Sequence, residues 1–184
     1  MSSESGRRKL THLAGDDRGV RMVDVGEKEA TRRFARAEGH VRMARETVEA
    51  VRASGVAKGD VLTVAQIAGI AAAKRTAEWI PLCHPLQIDS IDVSLTPDEE
   101  LPGVRVEART SLTGRTGAEM EALVAVSAAL LTVYDMCKSI DRGMEIGELR
   151  LVEKGGGRSG TWRRGDQSNR DVGPAMPRGT PGER

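Results

Sequence analysis

GAEMEALVAVSAALLTVYDMCKSID, residues 117–141, reads as one long helix fit for burial on nearly all sides, and the rest of the fold has to be arranged around it. From Ala122 to Val133 only Ser127 and Thr132 interrupt the apolar run, so its charges gather at the ends. Asp135 and Lys138 lie three apart and share a face. Glu121, fourteen residues before Asp135, falls within about 40° of that face at ~100° per residue. The plain reading of Asp135 and Lys138 is an i,i+3 ion pair worth a few tenths of a kcal/mol. Burial at the end of an apolar helix favours a functional pair with shifted titration instead.

Before this helix, two alternating segments predict strands. In 87–96, Ile91, Val93 and Leu95 oppose Ser90, Asp92 and Ser94; in 104–113, Val104, Val106 and Ala108 oppose Arg105, Glu107 and Arg109. Residues 97–103 turn one into the other. After the helix, 146–152 alternates imperfectly as a last strand. Earlier still, Ala35, Ala37, Val41 and Met43 alternate with polar neighbours across 31–43, and a short helix over 44–53 ends at Gly55. Asp60 can cap a second long helix that carries Lys74 and runs to Trp79, where Pro81 stops it. The order β-α-β-β-α-β is an α+β, ferredoxin-like arrangement: an antiparallel sheet with two long helices on one face.

Composition bounds the function. The 184 residues suffice for one catalytic domain, placed at 18–160, between a flexible segment at 1–17 and a disordered tail at 161–184. A net charge of +1 argues against general nucleic-acid or membrane-surface binding. Two cysteines make no disulfide framework, and the reading is a cytoplasmic protein without a membrane span. With Phe34, Trp79, Tyr134 and Trp162 as the only aromatics, no platform is available for stacking bases. A core of Ala, Val, Ile and Leu must bring its elements close together.

Three polar groups carry the chemistry. Leu82-Cys83-His84-Pro85-Leu86 holds a histidine between Pro81 and Pro85; it is either a tight turn around a satisfied side chain or an imidazole presented to an anion or heterocycle. A zinc site from Cys83, His84 and Cys137 lacks paired spacing and a fourth ligand. Thr113-Gly114-Arg115-Thr116-Gly117 feeds the helix N-terminus, where free N–H groups and the helix dipole favour phosphate and Arg115 adds charge. Glu119 and Glu121 can satisfy the same dipole without a ligand. Gly155-Gly156-Gly157-Arg158-Ser159-Gly160 is a second glycine-rich basic stretch without the G-K-[ST] of a nucleotide loop. Among Lys58, Lys74, Lys138 and Lys154, Lys74 and Lys138 join apolar helices, where desolvation would tune an amine for proton transfer.

Together MVDV (22–25), KGDV (58–61), AGIxAAKRT (68–76), IPLCHPL (80–86), LTGRTGAEMEAL (112–123), YDMCK (134–138) and KGGGRSG (154–160) resemble the cyclic pyranopterin monophosphate synthase family, molybdenum-cofactor biosynthesis protein C. The resemblance implies a ferredoxin-like enzyme that rearranges a cyclised dihydroguanosine triphosphate to cyclic pyranopterin monophosphate and releases pyrophosphate. It implies substrate contacts at Leu82, Cys83, His84, Met120 and Glu121, and a catalytic acid/base at Asp135. It also implies a homohexamer, a trimer of dimers with active sites at dimer interfaces. On that footing Lys58, Lys74, Arg115 and Lys154 are expected to hold the triphosphate. Asp135 and Lys138 are expected to move protons, and Lys74 is counted with them in the catalytic set. No cofactor or protein-bound metal is expected, although magnesium can accompany the polyphosphate. Arg158 stands where the family commonly has lysine. A catalytically altered paralogue and a nucleotide-binding regulatory module of the same fold are the alternatives. Glu121 and Asp135 are ~20 Å apart along one helix, so a pocket using both must draw on neighbouring subunits.

Overall fold

The computed structural model describes residues 13–14, 19–158 and 160–166. In chain order the elements are β1 (Leu13–Ala14), β2 (Gly19–Val20), β3 (Thr31–Arg42), α1 (Arg45–Arg52), α2 (Val61–Ala73), α3 (Thr76–Trp79), β4 (Ser90–Asp98), β5 (Gly103–Gly114), α4 (Glu119–Cys137), β6 (Glu145–Gly155) and β7 (Trp162–Arg163). The main sheet has the order β4-β5-β3-β6-β7, and every pairing in it is antiparallel. Without β7 this is the ferredoxin-like order, with α2 and α4 packed together on one face.

The period-two reading of β3 sorts its side chains as expected. Ala35, Ala37 and Val41 face the helices and are essentially inaccessible. The opposite face carries ion pairs, including Arg36 with Glu107 at 2.7 Å and Arg150 with Glu38 at 2.7 Å. Helix α4 lies across β3, β5 and β6 with α2 beside it, and Ala122, Ala125, Val126, Ala129, Leu130 and Val133 are all fully buried. It is long and apolar enough to cross a membrane, but most of it is buried within the protein, as a core helix is. Small residues permit the close packing that a nearly aromatic-free core needs. A Cβ at Gly69 of α2 would lie 2.9 Å from the Ala125 carbonyl oxygen of α4.

The structure corrects the sequence reading in three places. The helix expected to run from Asp60 to Trp79 ends at Ala73; the Thr76 hydroxyl donates to the Ala73 carbonyl at 2.9 Å, and the chain turns before α3. Lys74 is therefore the C-cap of α2 rather than an interior residue. Trp162 and Arg163, assigned to the tail, form β7 on the sheet edge, where the Arg164 backbone N–H donates to the Val152 carbonyl at 2.8 Å. The proposed N-terminal and C-terminal loose segments otherwise lie almost wholly outside the described residues. The exceptions are residues 161–166 and Leu13–Ala14, the latter paired antiparallel with Gly19–Val20.

Candidate functional site

The two ends of α4 hold different chemistry. At its C-terminal end Asp135 is clasped by two ammonium groups: Lys58 Nζ at 2.6 Å from Oδ2 and Lys138 Nζ at 2.7 Å from Oδ1. Lys58 also donates to the Asp135 carbonyl at 2.9 Å. Lys58 reaches this place because it immediately precedes α2, which Asp60 caps through the Leu62 and Thr63 N–H groups and which runs antiparallel to α4. Hydrogen bonds from Lys138 and Lys58 hold the Asp135 carboxyl down at about 2. Burial is not the cause, contrary to expectation: the side chains of Asp135 and Lys138 are 54% and 52% exposed. Lys74 is exposed too, so the desolvation expected for both lysines is absent.

At the N-terminal end Glu121 is 2% exposed, so it does not share the environment of Asp135 despite the small angular offset. The difference lies in what covers each end. The loop after α3 brings Cys83 against Glu121, with the thiol donating to Oε1 at 3.9 Å, while Glu121 Oε2 is buried without a hydrogen-bond partner. Burial raises the Glu121 carboxyl above its ordinary value. Burial, with the neighbouring Glu121 and Glu119 charges, pushes the Cys83 thiol up to about 11, so this cysteine remains a thiol and not a nucleophilic thiolate. His84 and Leu82 are half-buried in the same loop, and Met120 is half-buried beside Glu121. Among the described residues the His84 imidazole has no hydrogen-bond partner and is free to donate. Cys137 is fully buried at the other end of α4, and no described group of three or more His, Cys, Asp or Glu stands together to hold a metal ion.

The raised Glu121 carboxyl has a testable consequence. The folded chain binds this proton more tightly than the unfolded chain does. Stability should therefore fall as pH rises from the ordinary glutamate value near 4.5 through the raised folded value, then level off. Glu121→Gln, which mimics the protonated acid, is expected to flatten that dependence and to melt higher than the parent at neutral pH. Thermal melts across pH check it; parallel curves for the two proteins would show that Glu121 does not titrate in this way.

Lys154 of β6 pairs with Glu119 at 2.7 Å, close to the start of α4. Beside it, a cavity of about 520 Å³ is bounded by Arg115, Thr116 and Gly117 of the turn before α4 and by Gly157 and Arg158 of the glycine-rich segment. Lys28, Glu29, Thr31 and Arg33 close its remaining wall. Sequence reasoning found Arg115 and Arg158 but missed Lys28 and Arg33. Arg33 had a readable signal: it shares the core-facing parity of Ala35 and Ala37, an unusual place for a guanidinium unless something polar lies beyond the core.

Apart from Lys74 at the end of α2, the expected site residues divide into two groups. Lys58, Asp135 and Lys138 stand together; Cys83, Glu121 and Lys154 belong to the other end, where Glu119 joins them, with Arg115 at the turn before α4. Fourteen residues of helix between Glu121 and Asp135 span about 21 Å. Between the groups an open groove of about 470 Å³ runs between α2 and α4, edged by Arg75, Trp79, Leu131 and Asp135. Trp79 and Leu131 are 48% and 53% exposed there, a large apolar exposure for two neighbouring helices.

Known proteins resemble this chain over most of its length. The model of the MoaC family matches residues 22–157, which include both groups. A cyclic pyranopterin monophosphate synthase of Thermomicrobium roseum is 56% identical over 163 residues, covering 88% of this chain and 97% of the relative. The protein of the same name from Brucella melitensis biotype 2 is 54% identical over 162 residues, again 88% and 97%. That of Brucella ovis is 56% identical over 155 residues, 84% and 93%.

Proposed function

The chain belongs to the MoaC family, and on that premise we propose that it makes cyclic pyranopterin monophosphate in molybdenum cofactor biosynthesis. The substrate is (8S)-3',8-cyclo-7,8-dihydroguanosine 5'-triphosphate and the second product is pyrophosphate. The observation that carries the reading is the carboxylate of Asp135 held between two ammonium groups at an exposed helix end. Two ammonium donors within hydrogen-bond reach of one carboxylate suit a rearrangement that must move several protons.

With both lysines bound, Asp135 is a weak base. A polyanion that draws Lys58 toward itself removes one of the two contacts that depress it, and the proton affinity of the carboxylate then rises. Lys138 supplies the acid, while opening of the guanine-derived ring and closure of the pterin proceed beside it. A sugar hydroxyl oxygen then attacks the innermost phosphorus, and the bond to the bridging oxygen breaks. The hydroxyl proton passes to the base as pyrophosphate departs. Lys58, Lys74, Arg115 and Lys154 neutralise the phosphates, and nucleophile and phosphate already share one molecule, which lowers the entropic barrier. Leu82, Cys83, His84, Met120 and Glu121 hold the heterocyclic end. Magnesium, where present, enters as counter-ion of the triphosphate, and no further cofactor is needed.

The two groups of residues lie too far apart along α4 to meet on one substrate within a chain. This supports a pocket assembled from two subunits, within a cytoplasmic homohexamer built as a trimer of dimers. The apolar exposure of Trp79 and Leu131 is in keeping with such packing. Incubation of purified protein with the cyclised precursor is expected to yield pyrophosphate and the pterin, and Lys138→Ala is expected to yield neither at a comparable rate. Precursor binding without pyrophosphate release would select the regulatory-module alternative.

A further inference from the structure

We infer that Trp162 and Arg164 are positioning residues that hold a bulge in β6 and thereby aim Lys154 into the site, an inference that rests on the function proposed above. Lys154 is expected to neutralise phosphate, and its Nζ lies 2.7 Å from Glu119 near the start of α4. Which way it faces is decided by one extra residue. Along the pairing of β3 with β6, Ala37 stands opposite Leu151 but Arg36 stands opposite Glu153, so Val152 has no partner on β3. Without that residue, Glu153 and not Lys154 would stand opposite Ala35, on the face covered by the helices. The bulge therefore puts an ammonium group where an even ladder would put a carboxylate.

Strand β7 clamps this irregular stretch from the other side, and it meets four consecutive residues of β6, Leu151 to Lys154. The Arg164 Nε donates to the Leu151 carbonyl at 2.7 Å, and its backbone N–H donates to the carbonyl of Val152, the extra residue, at 2.8 Å. Arg163 pairs with Glu153 at 2.8 Å, and Trp162 stands opposite Lys154 in the ladder. The Arg164 guanidinium lies 5.8 Å from the centre of the Trp162 ring, within cation–π range, which ties the two residues together. A strand of two residues on a sheet edge is weak by itself, so these side chains carry the attachment.

What lies between β6 and β7 makes the clamp necessary. Gly156, Gly157 and Gly160 have φ of 98°, 71° and 62°. A Cβ at Gly160 would meet nothing within 4 Å, so glycine there serves the backbone conformation and not a tight fit. Glycine loses more freedom on ordering than other residues do, so such a segment does not order itself. With β7 attached it is tethered at both ends, and Lys154 lies at the boundary between bulge and loop. Gly165, with φ of 87° and open space around it, turns the chain away once the attachment is complete. An Arg164 released from β6 would leave the Val152 carbonyl without its bond and let the ladder at 151–154 slip.

The test compares wild type with Trp162→Ala, Arg164→Ala and Trp162→Phe by amide hydrogen exchange over 151–158 and by steady-state turnover of the cyclised precursor. Both side chains sit at the sheet edge outside the core, so all three variants should fold. Exchange should quicken in both alanine variants and KM should rise roughly 5- to 30-fold. The fall in kcat should be smaller, because Lys154 binds phosphate alike in ground and transition states. Trp162→Phe keeps a ring for Arg164 and should restore KM. Faster exchange with parental KM would show a merely structural role and overturn the inference, as would unchanged exchange in both alanine variants. A raised KM in Arg164→Ala alone would trace to lost charge and also overturn it, since Trp162→Ala leaves that charge in place. If wild type binds the precursor without turning it over, affinity is read instead of KM: weaker binding by both alanine variants would retain the positioning role and overturn the proposed reaction.

Discussion

Asp135→Asn is expected to lower kcat by roughly 10²- to 10⁴-fold, the range for loss of a positioned acid/base group, while the melting temperature stays near that of the parent. The side chain is 54% exposed and its partners are flexible lysines, so little packing is lost. What disappears is the charge that fixes Lys58 and Lys138: an amide oxygen accepts from one ammonium far more weakly and cannot take up a proton. The pH behaviour should separate this role from a simple structural contact. Because the folded carboxyl is depressed to about 2 from an ordinary value near 3.8, its contribution to stability is present above 3.8 and is lost as pH falls toward 2. Asp135 is thus fully ionised in the free protein at neutral pH, and an acidic limb of kcat/KM near neutrality must come from another group. Asp135→Asn with parental turnover would remove the proton-transfer assignment. A melting temperature only slightly below the parent's above pH 5, together with lost turnover, would support it.

Leu130→Ala is expected to destabilise the fold by ~2–5 kcal/mol, the cost of emptying a fully buried leucine site. Against a total stability of ~5–15 kcal/mol this is a large effect. Its packing explains why β3 has glycine at position 39. A Cβ on Gly39 would approach Leu130 Cδ1 to 2.9 Å and Val126 Cγ1 to 3.1 Å, so Gly39→Ala alone should overpack the site and cost ~1–3 kcal/mol. The two changes are coupled: in the double variant the added methyl enters space that Leu130 has vacated. The combined loss should be smaller than the sum by more than ~0.5 kcal/mol. Urea unfolding at fixed protein concentration measures all four corners of the cycle. Strict additivity would mean that this contact between α4 and β3 does not limit packing.

The site was legible to different depths at its two ends. IPLCHPL, LTGRTGAEMEAL and YDMCK were readable as local strings, and the residues they contain do lie at the ends of α4. Their environments were not readable. An apolar helix suggested buried chemistry at Asp135, yet the last turn is exposed, and two lysines rather than desolvation set its titration. Glu121, nearly aligned with it by helical angle, is buried because the Cys83 loop returns over that end. Arg33 was hidden in a correctly read strand, since alternation gives the side a residue faces but not whether core or cavity lies beyond.

Sequence alone determined the central β-α-β-β-α-β order, because periods of two and 3.6 follow from backbone geometry and an apolar stripe must find cover. It also determined the family, through short strings whose spacing survives any uncertainty about element boundaries. The end of α2 at Ala73, where the Thr76 hydroxyl takes the Ala73 carbonyl, is a local detail that the apolar pattern did not reveal. Only the tertiary structure paired Lys58 with Asp135 across 77 residues of chain, and only it gathered Lys28, Arg33, Arg115 and Arg158 around one cavity. Coulomb and desolvation energies depend on distances through space, and those are fixed by how α2, α4 and the sheet pack.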